Sequence, residues 1–297
     1  MSKLFNIHLI GLLSYCLSIT LTIMTLFFIV GFVILAASLW WYFLIYLPKK
    51  PKGEKIDEMP ESWKKLLTEN VNFYRNLSQE DKIKFENRLL HFISIKRIIG
   101  VDTEVEDLDK VLIASSAVIP LFGFSEWTYP NLKEVLLYPK AFDKDFQISG
   151  TRKNITGMVG NGVMEGKMIL SQKALRAGFI IDNDKSNVGI HEFIHLIDKA
   201  DGEIDGVPKM LIQNQYAIPW LKIMHDEMNR IYSNQSDINP YGGTNQQEFL
   251  SVISEYFFER PDLLKRKHPK LYEAMENIFK QDLYDNLKVN KKRDFNN

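Results

Sequence analysis

Two histidines one helical turn apart, His191 and His195, enclose a glutamate in the run His191-Glu192-Phe193-Ile194-His195. Positions i and i+4 of a helix face the same way, so both imidazoles can reach one ion. Zinc accepts such nitrogens at about 2.0–2.1 Å and keeps its fourth position open in catalytic sites. Glu192 leaves the same helix slightly rotated, placed to take a proton from a water at that position without itself ligating. Short His/Glu patterns also arise on solvated helices without any role. Here Ile190, Phe193, Ile194, Leu196 and Ile197 leave the helix apolar on most sides. The three polar side chains are therefore predicted to be buried, at a cost of a few kcal/mol each unless partners are supplied. A metal supplies them.

A third protein ligand must come from another element, because sites of this kind use three. The single cysteine, Cys16, lies in the apolar N-terminus, which excludes a thiolate cluster and any intramolecular disulfide. His8, His91, His225 and His268 fall in structural or exposed settings. Better candidates are Glu248 and Glu255, two turns apart on one face of a predicted helix, and helical geometry does not choose between them. Asp198, three residues after His195, either orients a ligating histidine or is a surface acid at the helix end.

These residues need elements to hold them. The metal-binding helix is predicted from about Asn187 to Lys199, with N-caps offered by Asp182-Asn183-Asp184 and Ser186 and a stop at Asp201-Gly202. The helix bearing Glu248 and Glu255 should begin at a capping box, Thr244-x-x-Gln247, and end near Phe258. Trp220, Ile223, Met224, Met228 and Ile231 mark another helix, and Pro261 suits the first turn of a further one. Upstream, Ser78 and Asp81 open an amphipathic helix to about Lys96, and residues 108–121 form an almost wholly apolar helix ending around Pro120. Residues 134–139 and 166–171 are short and β-rich and read as strands, with a hairpin or mobile loop across Gly150 to Gly166. The predicted fold is α+β and mainly helical, with a small sheet.

The N-terminus is of a different kind. Leu4 to Leu47 contains no charged residue, which suits one long tilted membrane span or a tight pair breaking near Gly31. Trp40, Trp41, Tyr42 and Tyr46 suit the interface, and Lys49, Lys50, Lys52 and Lys55 follow at once, which places the C-terminal body on the cytoplasmic side of the inner membrane. A signal peptide cleaved near Ala36-Ala37-Ser38 is the competing reading, but its apolar region would be far shorter and follow a basic start. Residues 1–50 are thus expected to be anchor and basic flank, 51–60 a linker, and 61–297 a catalytic domain ending in a disordered tail. The 297 residues, 45 % apolar and 25 % charged, have globular composition. Thirty-seven basic and 37 acidic side chains cancel, so nucleic acid is not an expected partner.

The run from His191 to Asp198, with Asp205-Gly206-Val207-Pro208 just downstream, resembles the Mlc titration factor A family of zinc peptidases. Trp63, Val135-Leu136-Leu137-Tyr138-Pro139, Leu170-Ser171, Asn239-Pro240-Tyr241, Ser254-Glu255-Tyr256-Phe257-Phe258 and His268-Pro269-x-Leu271-Tyr272 extend the resemblance over residues 60–285. It implies a zincin-like fold, a Zn2+ cofactor, a peptide or protein substrate, and binding of a transcriptional repressor of sugar transport. The membrane anchor departs from the family's soluble pattern. Residues Tyr241 to Phe249 are also similar to the active-site stretch of the anthrax lethal factor peptidase. That similarity implies Glu248 as the third zinc ligand, Tyr241 as oxyanion stabiliser or proton donor, and Glu255 as a residue that orients a ligand or lines the pocket.

Overall fold

The computed structural model describes residues 21, 23–42, 53–54, 56–125, 128–148, 154–181, 183–208 and 214–284. The chain divides into two compact units, Met1–Lys50 and Pro51–Asn297. In the first, an uncharged apolar run forms helix α1 (Ile23–Tyr42), long and apolar enough to cross a membrane as an anchor or to serve as a signal sequence. It runs unbroken through Gly31, so the break that would create two spans there is not found. Lys49, Lys50, Lys52, Lys55 and the tail from residue 285 lie outside the described residues.

The second unit is mostly helical with a small mixed sheet. Helices α2 (Glu61–Asn70) and α3 (Asn72–Arg75) lead into α4 (Gln79–Ile95), where the Ser78 hydroxyl accepts from the Asp81 N–H as the cap. Strands β1 (Arg97–Gly100), β2 (Glu134–Tyr138), β3 (Gly157–Val159) and β4 (Lys167–Ser171) form one sheet in the order β1-β2-β4-β3. β1, β2 and β4 are parallel, with Ile98 opposite Val135 and Val135 opposite Met168. β3 runs antiparallel on the edge, Gly157 opposite Leu170, so the glycine-rich stretch is in part a hairpin. β1 was not expected: its parallel partner lies far along the chain, and four residues carry little periodicity.

Helix α5 (Asp107–Leu121) joins β1 to β2 and opens with a capping box between Glu106 and Asp109. Every residue from Val111 to Leu121 is buried, which is why its sequence lacks a polar face. Asp109, fully buried, is held by a two-pronged pair with Arg176 at 2.8 and 2.9 Å and by the Gln172 amide at 2.8 Å. Both partners belong to α6 (Gln172–Ile180). Helix α7 (Val188–Asp198) packs against α5 on one side and α9 (Gln246–Glu259) on another, with β3 and β4 close by. A Cβ at Gly189 would stand 2.1 Å from the Ser116 hydroxyl oxygen, so the close crossing of α5 and α7 requires glycine there. Helix α8 (Asn214–Tyr232) follows, and α10 (Pro261–Lys267) and α11 (Pro269–Phe279) each begin with proline.

One cap differs from expectation. Pro240–Gly243 forms a single 3-10 turn, and Thr244 finishes it by donating to the Tyr241 carbonyl at 2.7 Å. Asn245, in extended conformation, then caps α9 by accepting from the Glu248 N–H at 2.9 Å.

Breaking the Asp109–Arg176 pair from one side should strand a buried carboxylate. Arg176→Met is expected to lower unfolding stability by about 3 kcal/mol, read as a shift of the urea midpoint at unchanged slope; a loss below about 1 kcal/mol would show that Gln172 and the helix N-terminus suffice.

Candidate metal centre

The site begins at the start of α7. The Asn187 side chain accepts from the Ile190 N–H at 3.1 Å and donates to the Gly178 carbonyl at 3.0 Å, fixing where the helix starts. Asn187 therefore takes the role expected of the residues before it, because it is buried against α6 where those bonds can form, whereas Asn183, Asp184 and Ser186 are exposed and Asp182 lies outside the described residues. Its own N–H donates to Glu255 Oε2 at 2.5 Å, while Glu255 Oε1 faces His191 Nδ1 at 2.7 Å. One carboxylate thus anchors both the helix start and the first imidazole. His195 Nδ1 lies 3.2 Å from the Ser251 hydroxyl, which donates to the His191 carbonyl at 3.3 Å. With Nδ1–H engaged on both rings, each Nε2 presents a lone pair.

Those lone pairs converge with a carboxylate. His191 Nε2 and His195 Nε2 are 3.1 Å apart, and Glu248 Oε2 lies 3.0 Å from the first and 3.5 Å from the second. An ion bonded tetrahedrally at about 2.0–2.1 Å holds its ligand atoms about 3.3 Å from one another. Two imidazoles and one carboxylate at this spacing fit a metal ion, and His191, His195 and Glu248 are the one group of ligating side chains found to do so among the described residues.

The electrostatics make the same demand. Three carboxylates, Glu192, Glu248 and Glu255, surround two imidazoles, and all three are buried. Although burial opposes a charged ring, hydrogen bonds to Glu248 and Glu255 raise His191 to about 10. Burial likewise opposes a charged carboxylate, yet the two imidazoles hold Glu248 down at about 2. The cluster attracts positive charge, which a divalent ion supplies more fully than a proton. Glu192 behaves differently: burial raises its pKa, Glu248 and Glu255 add to this, and the imidazoles oppose it. Its carboxylate lies against the backbone of β3, where a Cβ on Gly157 would come within 2.5 Å of Oε1.

Tyr241 sits in the 3-10 turn at the rim, 52 % exposed, its ring 6.1 Å from that of His191. Burial of part of the ring and the nearby Glu248 carboxylate raise its pKa. A cavity of about 210 Å³ opens above these groups, lined also by Met158, Val159 and Ile204. Asp198 is placed otherwise than as a support for His195: it is buried at the end of α7 and accepts from the Gly206 N–H at 2.9 Å, while Ser251 stands at the His195 ring. Burial chiefly raises Asp198 to about 6. Ser251 escaped sequence reasoning, although Glu248, Ser251 and Glu255 follow an i, i+3, i+7 spacing on α9 that marks one face. Lys199 was missed as well. It ties the β3–β4 connection to the site by donating to the Gly160 carbonyl, Asn161 Oδ1 and Glu165 Oε2.

A mostly helical α+β domain with a possible metal site of two histidines and a glutamate, and a buried glutamate beside it, has the features of a metallopeptidase. The chain belongs to the glucose-regulated metallo-peptidase M90 family, whose model matches residues 49–280. It is 30 % identical to an uncharacterized protein of Synechocystis sp. over 74 % of this chain and 84 % of that protein. It is also similar to proteins named Mlc titration factor A. The one from Pectobacterium atrosepticum is 25 % identical, covering 77 % of this chain and 89 % of the relative. That from Klebsiella pneumoniae strain 342 is 26 % identical, covering 81 % and 92 %. The family resemblance read in the sequence is therefore found, and the family implies a metal ion.

Because Glu255 fixes the His191 ring, Glu255→Gln should weaken metal affinity about 10–100-fold without unfolding the domain, as read by competition with a chromogenic chelator. Affinity within a factor of about two of wild type would mean that the ring is positioned by packing alone.

Proposed function

We propose that the chain is a zinc-dependent peptidase with a zincin-like active site, in which His191, His195 and Glu248 hold the ion. The observation that carries this reading is the convergence of three lone pairs at the spacing of one four-coordinate ion, with a fourth polar group, Glu192, buried beside them on the same helix. Bound zinc supplies Lewis acidity, making water easier to deprotonate and the scissile carbonyl easier to attack. Glu192 is the general base: it takes the proton of the attacking water and returns it to the leaving amine. Its desolvation, which raises its pKa, makes it a stronger base than an exposed glutamate. Tyr241 directs its hydroxyl at the carbonyl oxygen as negative charge grows there.

A peptide substrate is supported by the sheet. β3 pairs with β4 on one side only among the described residues, and Gly157, Met158 and Val159 line the cavity beside the metal ligands. An extended chain adding to that edge by backbone hydrogen bonds passes directly by Glu192. In the same reading α1 anchors the protein in the inner membrane, and the lysines after it keep the catalytic domain, residues 61–297, on the cytoplasmic side.

A second reading rests on the relatives' printed name, Mlc titration factor A, which speaks of titrating another protein. There the domain binds a regulator and hydrolysis is incidental. The test uses the full chain and its Glu192→Gln variant, with zinc measured by mass spectrometry and cleavage scored on a mixed peptide library. Zinc is expected in both, with turnover in the variant down roughly 10²–10⁴-fold. Equal turnover by the two proteins would exclude Glu192 as the base. Zinc without cleavage by either protein favours the regulator-binding reading.

A further inference from the structure

A buried lysine stands outside the metal centre. Lys96, at the junction of α4 and β1, is 7 % exposed, and its ammonium donates to the Tyr129 and Leu132 carbonyls at 2.5 and 2.7 Å. An ammonium has three N–H groups, so one is left without an acceptor among the described residues. No carboxylate among them pairs with it, an unusual state for a buried charge. Lys96 lines a cavity of about 450 Å³ between α4, the end of α5 and the turn at residues 128–132. Arg88 and His91 also line it, the apolar part is formed by residues such as Phe92, Val118 and Tyr129, and no Asp or Glu is among its described lining residues; Glu126 and Trp127 lie outside the described residues. The volume is that of a small-molecule site, with an apolar body and a few polar groups to orient a ligand.

We propose that this cavity binds a small organic carboxylate, aryl or short-chain, whose charge pairs with Lys96 and whose body lies on Phe92, Val118 and Tyr129. Burial lowers Lys96 to about 8, and a bound carboxylate favours its ammonium form. The occupant shares a wall with the metal centre. The rings of Phe92 and Tyr129 stand 5.6 and 4.9 Å from that of Phe193, the residue after Glu192, and Asn131 in the same turn donates to the Leu196 carbonyl of α7 at 2.8 Å.

The test is ¹⁹F NMR titration of the full chain in phosphatidylcholine nanodiscs with 4-(trifluoromethyl)phenylacetate and with the matching neutral alcohol, 2-[4-(trifluoromethyl)phenyl]ethanol. The acid should bind at least about tenfold tighter than the alcohol, the gain of one hydrogen bond to a charged group. Lys96→Met, which keeps the apolar stem, should erase that preference. Thr128→Trp, at the exposed mouth, should weaken both probes while leaving the metal content unchanged. Equal binding of acid and alcohol, wild-type acid affinity in Lys96→Met, unchanged binding in Thr128→Trp, or no binding of either probe would each overturn the assignment. Should Lys96→Met fail to fold, the acid-to-alcohol ratio of the wild type and the Thr128→Trp titration decide alone.

Discussion

Glu255 accepts two short hydrogen bonds, one from the backbone N–H that starts α7 and one from the imidazole of His191 a turn further on. This pair of contacts sets both the position of α7 along α9 and the orientation of the ring, because an Nδ1–H that donates to Glu255 turns Nε2 toward Glu248 and leaves it available to an ion. Glu248 lies two turns earlier on α9, so fixing α9 against α7 brings its carboxylate to the free Nε2 atoms. Three lone pairs then face one another within hydrogen-bonding range. Without a cation that arrangement is repulsive, and a metal ion would be the partner that relieves it.

Such a cluster tolerates little movement, and the surrounding structure is built to prevent it. Behind α7, the buried stretch of α5 from Val111 to Leu121 comes so close that only glycine fits at position 189. In front, the edge strand approaches so tightly that a side chain at position 157 would displace Glu192. The Glu192 carboxylate is thereby held in a dry setting beside the edge strand β3.

The far end of α9 is fixed by a second convergence of charge. Asp237 accepts from the Tyr256 hydroxyl, Lys267 and His268 at 2.9, 3.0 and 2.8 Å, and Lys185 lies 3.3 Å away. These partners, acting against the cost of burial, hold its carboxyl well below the usual range. Lys185 precedes α7 by three residues, so one aspartate links the approach to α7 with α9, α10 and the start of α11. Glu255 and Asp237 thus both tie the C-terminal part of α9 to the start of α7 and the residues just before it.

Much of this was legible in the sequence because it is local. The His191–His195 spacing, the apolar neighbours that bury it, the mostly helical character and the uncharged run of α1 follow from periodicity within a few turns. The common face of Glu248 and Glu255 was legible for the same reason. Their division of labour was not legible in helical spacing, where two carboxylates two turns apart look alike; the resemblance to the lethal factor stretch implied it, and the packing of α9 on α7 puts one at Nε2 and the other at Nδ1. Asp198 shows the same limit: its spacing from His195 suggested support for the ring, and the chain folding back at Gly206 claimed it instead. The parallel strand β1, the tight approach of Gly157 and the buried ammonium of Lys96 likewise depend on segments distant in the chain. The sequence by itself determined which residues could bind a metal and do chemistry, through short-range helical geometry; only the tertiary structure decided which atom of each faces which partner, because that is set by long-range packing.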